Sequence, residues 1–326
     1  MSPENKSTLV QSFKNKKFTV LMCGDGANDC SALRAANVGV SLSIEEASIA
    51  AHFTSNVSDI SCLIKLLREG KSSLITCIQT FKYMIIYSLV QFISVTLLMI
   101  VGSYLSDYQF LAVDGFIIFP LAFSLPRTEP YQKLSKHHPT DALISFPVIV
   151  SILSQCLIAF IFQFISIKLL YDNKEKWYKK CELTFNDDVI ECPGNTVIFL
   201  ISNIQYLITA SVYIISKPFK KPFYTNWVLT FFLITSLLYS FKLIINPDYY
   251  SRYFLQIYDW KEKEGNIKMY LVIICISNFI ISYISEKIIL PILIKYWNIY
   301  KHKKNKENKN KDIEYTLNEL QIINEE

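Results

Sequence analysis

The chain is 326 residues long, carries a formal net charge of +5 and is 51% hydrophobic. A composition this apolar, rich in Phe, Tyr and Ile, points to a membrane class rather than an ordinary soluble one. The positive charge lies mostly in loops and the C-terminal tail, which marks membrane topology and weighs against nucleic-acid binding.

Residues 1–60 read as a small α/β head. An apolar run at 18–22 leads into Cys23-Gly24-Asp25-Gly26-Ala27-Asn28-Asp29-Cys30, and an Ala/Leu-rich run follows at 31–36. That is the layout of a strand, a tight acidic turn and a helix. Further strands are expected at 38–42 and near Phe53, half of a Rossmann-like sheet at best and too little to bury a full core alone. Asp25 and Asp29 flank the turn at the carboxyl end of the strand, where open α/β sheets bind ligands. Their oxygens suit a hard cation such as Mg²⁺, normally shared with a phosphate. Asp29 suits a plain helix N-cap equally well.

Residues 61–82 predict an amphipathic stalk helix, with Leu63, Leu66, Leu67 and Leu74 beside Lys65, Arg68 and Lys71. Beyond Lys82, the runs 83–106, 142–167, 192–216, 222–241 and 269–285 carry no charge, and 108–126 carries only Asp114. A span needs about 20 apolar residues. Six transmembrane helices are therefore expected, at about 83–106, 108–126, 143–168, 194–216, 223–242 and 269–294. Lys and Arg crowd the loop 217–221 and the tail 295–326, which places both termini on the cytoplasmic side. Glu286 and Lys287, near the end of the last span, read as an interfacial pair outside any transport site. The expected fold class is thus mixed, a partial α/β domain followed by an all-α bundle of six transmembrane helices.

The cysteines divide by side. Cys23, Cys30, Cys62 and Cys77 fall on the cytoplasmic side, where thiols stay reduced, while Cys156 and Cys275 sit inside spans as small packing residues. Cys181 and Cys192 share a loop on the opposite face and form a candidate disulfide.

The string Gly24-Asp25-Gly26-Ala27-Asn28-Asp29 resembles the GDGxND signature of P-type ATPases, and Met1-Ser2-Pro3-Glu4-Asn5-Lys6 resembles the MxPxxK element just upstream of it. The resemblance implies a haloacid dehalogenase-like phosphorylation domain, ATP as substrate and Mg²⁺ as cofactor. It implies catalytic roles for Lys6, Asp25, Asn28 and Asp29. Lys6 would neutralise phosphoryl charge, Asp25 would hold Mg²⁺, and Asn28 and Asp29 would sit beside the phosphoryl group. Phe81-Lys82-Tyr83, the run Gln109-Phe110-Leu111-Ala112-Val113-Asp114 and Tyr224-Thr225-Asn226 are similar to the fifth class of these pumps, branch B. Members of that branch with an assigned substrate export polyamines from late endosomes and lysosomes, so a late endosomal, lysosomal or vacuolar membrane is implied. No DKTGT acceptor motif, TGE loop or nucleotide-binding domain is found. The expectation is a C-terminal portion of a pump, a truncated gene model, which cannot complete an ATPase cycle without its N-terminal part.

The membrane residues fit an organic cation. Asp114 is the only acid well inside the first five spans. One carboxylate cannot replace the hydration of a small dication, but it can anchor one ammonium of a long cation. Phe110 and Asp114 share a helix face by their spacing of four, as do Tyr87 and Gln91 in the preceding span. Aromatic rings attract ammonium groups, so these four residues make a candidate polyamine slot. Other readings are an A-branch extractor of misinserted helices, an inorganic cation pump and a non-enzymatic membrane module.

Overall fold

The computed structural model describes residues 1–43, 46–136, 139, 142–172, 192–258, 260 and 265–301. Its chain divides into two compact units. The first comprises Met1–Leu74, Pro130–Pro139 and Lys217–Lys220; the second comprises Ile75–Glu129, Thr140–Ser216 and Lys221–Glu326.

The first unit opens with helix α1 (Pro3–Asn15). Ser2 caps it, its Oγ accepting from Asn5 N at 3.3 Å, and Pro3 occupies the first turn, where its missing N–H costs nothing. Strands β1 (Leu21–Gly24), β2 (Val38–Ser41) and β3 (Phe53–Thr54) form a parallel sheet in the order β1-β2-β3. Leu21 pairs with Val38 and Val40 with Phe53. Helices α2 (Cys30–Ala35) and α3 (Glu46–Ala50) make the connections between strands. Val10, Ala32 and Ala36 form a small core beneath Val20 and Met22. Strands and turn fall where the apolar runs and glycines placed them. The sheet is small, with three described strands, and does not by itself show a haloacid dehalogenase-like domain.

Two loops belong to this unit. Tyr131 N donates to Phe219 O at 2.9 Å, and Pro130 bridges Lys220 in antiparallel fashion. Arg68 Nη1 donates to Gln132 O at 3.2 Å and Lys71 Nζ to Ser135 O at 2.7 Å, so the basic face expected of the stalk holds a loop. Lys220 is 1% exposed, and its ammonium has no hydrogen-bond partner among the described residues. Burial pushes its pKa down to about 8.

Helix α4 (Ser61–Val101) is a single element of 41 residues, so the stalk runs unbroken into the first span. Its residues from Ile75 onward belong to the second unit. That unit also contains α5 (Asp107–Ala112), a π-helical segment (Val113–Ile118), α6 (Phe119–Ser124), α7 (Phe146–Asp172), α8 (Pro193–Val212), α9 (Trp227–Ile245), the short α10 (Tyr249–Leu255), α11 (Gly265–Ile284) and a second π segment (Ser285–Ile289). Among the described residues six helices are long and apolar enough to cross a membrane: Ser61–Val101, Asp107–Arg127, Phe146–Asp172, Pro193–Val212, Trp227–Ile245 and Ile267–Lys301. Residues 302–326 of the expected tail lie outside the described residues, as does Cys181. Cys192 is disulfide-bonded.

Span α8 is 94% buried, against 28–39% for the other five, so it is the middle of the bundle. The exposed Phe92, Ile100, Phe119 and Leu153 of the other spans are what a lipid-facing surface requires. Polar side chains tie the interior. Gln163 Nε2 donates to Ser94 Oγ at 2.9 Å and to Gln205 Oε1 at 2.8 Å, and Gln205 Nε2 donates to Ala159 O at 3.1 Å. Such bonds between spans contribute about 0.6 kcal/mol each on average.

Glu286 does not pair with Lys287. Its Oε1 takes the Lys82 ammonium at 2.5 Å and its Oε2 accepts from Ser151 Oγ at 2.7 Å, while Lys287 Nζ donates to Ile214 O at 2.8 Å. Residues adjacent on a helix point about 100° apart, so Glu286 and Lys287 face different neighbours.

Candidate functional site

Two clusters gather the candidate residues, one in each unit. In the head, Ser2 and Pro3 set the start of α1, and Lys6 follows one turn in. Its Nζ meets Asp29 Oδ1 at 2.7 Å, and Ser31 Oγ holds Pro3 O at 3.0 Å. Asp29 is 8% exposed and stands at the N-cap of α2 without making a side-chain cap bond. Its carboxylate serves Lys6 instead. Gly24 makes this possible: a Cβ there would lie 2.6 Å from Asp29 Cβ and Oδ2. Asp25 and Asn28 are exposed beside the pair, at the carboxyl end of β1. Burial raises the Cys23 thiol above its ordinary pKa, and the charges of Cys62, Asp25 and Asp29 raise it further.

No group of three His, Cys, Asp or Glu side chains suited to a metal occurs among the described residues. One exposed carboxylate, Asp25, still fits Mg²⁺, which keeps most of its waters and binds through one or two carboxylates plus a phosphate.

In the membrane unit, Tyr87 of α4 donates its hydroxyl to Asp114 Oδ1 at 2.7 Å. Gln91 lies one turn on from Tyr87 in the same helix. Asp114 lies in the π segment, a local geometry frequent at functional sites. Tyr87, Gln91 and Asp114 are thus together. Phe110 precedes the π segment on α5 and is half-buried against the bundle core.

Three residues had no assigned role in the sequence reading. The Tyr206 ring of α8 packs edge-on against Tyr87 with centroids 5.7 Å apart. Tyr83, one turn before Tyr87, is fully buried and its hydroxyl has no hydrogen-bond partner among the described residues. Gln109 is a buried hub whose Nε2 donates to Asn195 Oδ1 at 2.7 Å and to Leu255 O at 2.9 Å. Spacing from Tyr87 identifies Tyr83, whereas Tyr206 and Asn195 are distant in sequence and only the fold brings them in.

No protein-family model matches the chain. Among curated proteins it is 36% identical over 298 residues to the vacuolar cation-transporting ATPase YPK9 of Saccharomyces cerevisiae, covering 91% of this chain and 20% of that protein. It is 34% identical over 314 residues to human polyamine-transporting ATPase 13A3, covering 88% and 25%, and 40% identical over 247 residues to human polyamine-transporting ATPase 13A2, covering 75% and 21%. The chain therefore spans about a fifth to a quarter of the length of these relatives. By this homology it belongs to the P5-type, or 13A, ATPases.

Proposed function

We propose that the chain is part of an ATP-driven P-type transporter that moves a polyamine or similar organic cation across an endomembrane through an aspartyl-phosphate cycle. The observation that carries this reading is the intramembrane carboxylate of Asp114, bonded to Tyr87, whose ring packs against Tyr206. An ionisable residue in a span is functional by default, and a single acid among aromatic rings suits an ammonium on a methylene chain. The names of two relatives, both polyamine-transporting ATPases, support it.

In that reading the head is part of a haloacid dehalogenase-like phosphorylation domain, with the acceptor aspartate and nucleotide site supplied by the rest of the pump. Bound Mg²⁺ would be held by Asp25 and would supply charge neutralisation at the phosphoryl group. Lys6 adds a fixed positive charge there, and Asp29 holds Lys6 in place. Asn28 is exposed next to them, suited to orient the attacking water. Tyr87, Gln91 and Asp114 orient the cation, with Phe110 at the edge of the slot. Head and tail face the cytoplasm, and the vacuolar relative points to a vacuolar or endolysosomal membrane.

The test is Asp114→Asn in the polypeptide that contains the acceptor aspartate, purified and assayed for ATP hydrolysis with added polyamine. Loss of polyamine stimulation with retained phosphorylation from ATP is expected. Full stimulation would remove Asp114 from the substrate site.

A further inference from the structure

A small void of about 20 Å³ lies between α8, α9 and the π segment that carries Asp114. Val113 and Phe116 of that segment form one wall, Phe199 and Asn203 of α8 a second, and Ser240 and Leu243 of α9 a third. Most of the lining is apolar, and two polar side chains interrupt it. Asn203 is 3% exposed, and its Oδ1 has no hydrogen-bond partner among the described residues. Ser240 is 2% exposed. The backbone of the first wall is short of donors as well. Pro120 has no N–H to offer the turn before it. The Phe116 carbonyl in that turn accepts from Ser236 Oγ of α9 at 3.4 Å, beyond the usual O–H···O range of about 2.5–3.0 Å. Ser236 and Ser240 are four apart, so they share the face of α9 that meets the segment.

We infer that the void binds one buried water, which bridges Asn203 Oδ1 of α8 to Ser240 Oγ of α9 behind the intramembrane acid. A buried acceptor without a donor is costly, and the hydrocarbon side chains around Asn203 cannot supply one. One water needs roughly 10–15 Å³ and about two to four polar partners, and the void offers both. It is far below the roughly 300 Å³ at which pockets for organic ligands begin. The water donates one O–H to Asn203 Oδ1 and accepts from Ser240 Oγ, and its second O–H is available to the Phe116 carbonyl. These groups are neutral, and the nearby Asp114 carboxylate is engaged by Tyr87 at 2.7 Å, so the lining calls for water rather than an ion. Ordered waters are one of the means by which proline-containing spans satisfy their freed backbone groups. The segment that carries Asp114 is thus tied to α8 and α9 through an exchangeable molecule, while Asp114 itself bonds α4.

Magnetisation transfer from water tests this without reference to transport. The isotope-labelled chain is purified in nanodiscs, and the side-chain amide protons of Asn203 are assigned through their disappearance in Asn203→Leu. In the wild type they should show a cross-peak to water whose sign is opposite in laboratory-frame and rotating-frame transfer, the signature of a long-lived bound water. Ser240→Ala removes the second partner and should weaken that cross-peak. Ser240→Val adds a methyl group to the void and should abolish it. Leu153→Phe, on an exposed span surface, should leave it unchanged. A wild-type chain without the cross-peak would overturn the inference, and so would one whose signs match, since that marks chemical exchange with bulk water. A cross-peak that persists at full strength in Ser240→Val would overturn it as well. If Ser240→Val does not fold, the wild-type spectrum decides alone.

Discussion

Removing Glu286 leaves the Lys82 ammonium buried without its counter-ion. The two side chains are 12% and 9% exposed, with N···O at 2.5 Å, and Ser151 supplies a second bond to the carboxylate. Breaking one half of a buried pair costs about 3–5 kcal/mol, whereas replacing both halves with apolar groups is often neutral. Lys82 keeps one contact in the variant, the Tyr213 ring 4.1 Å away, which offsets up to about 2 kcal/mol. The net expectation for Glu286→Gln is therefore a loss of roughly 2–4 kcal/mol, with a similar loss for Lys82→Met. The double variant should lose far less than the sum of the two. Reversible unfolding by denaturing detergent, followed by tryptophan fluorescence in mixed micelles, measures all three. Single losses below about 0.5 kcal/mol, or strictly additive losses, would refute the argument that this pair is desolvated and coupled.

Gln109→Leu should cost about 1–3 kcal/mol in the same assay, because Asn195 and the Leu255 carbonyl lose their donor. Lys220→Met should stabilise the protein at pH 7 by an amount on the order of 2–3 kcal/mol, since its ammonium is buried and unpartnered among the described residues. A lysine whose pKa falls to about 8 on folding binds fewer protons folded than unfolded between pH 8 and about 10.4, so wild-type stability should rise with pH across that window and the variant's should not. Asp25→Asn should speed iodoacetamide alkylation of Cys23 at pH 8, because it removes one of the charges that hold the thiol protonated; an unchanged rate would separate the two groups. Lys6→Ala should leave Asp29 unpaired and lower phosphoenzyme turnover in the intact pump without abolishing membrane insertion, checked by single-turnover dephosphorylation.

The sequence carried the parts of this fold that depend on local pattern. Gly24 and Gly26 around Asp25 marked the turn after β1, and uncharged runs marked the six spans, because both signals are written in neighbouring residues. Asp29 was readable as a helix cap or as a residue beside the phosphoryl group, and its bond to Lys6, 23 residues away, only the fold reveals. Glu286 and Lys82 are 204 residues apart, so periodicity along one helix gave no hint of their pairing. The π segments were also hidden. Nothing in Val113-Asp114-Gly115 or Ser285-Glu286-Lys287 announces the widened turns in which Asp114 and Glu286 sit.

Helix α8 has a consequence for biogenesis. It is the least apolar of the six spans and the most buried, with Asn195, Asn203, Gln205 and Thr209 among its interior residues. Presented alone to a translocon, such a segment partitions poorly into lipid, since each polar side chain raises the cost of insertion. The partners of Asn195 and Gln205 come from α5 and α7, both made earlier on the ribosome. The fourth span is thus a client of its predecessors, and faults in the first three spans should surface as failure of α8 to enter the bilayer.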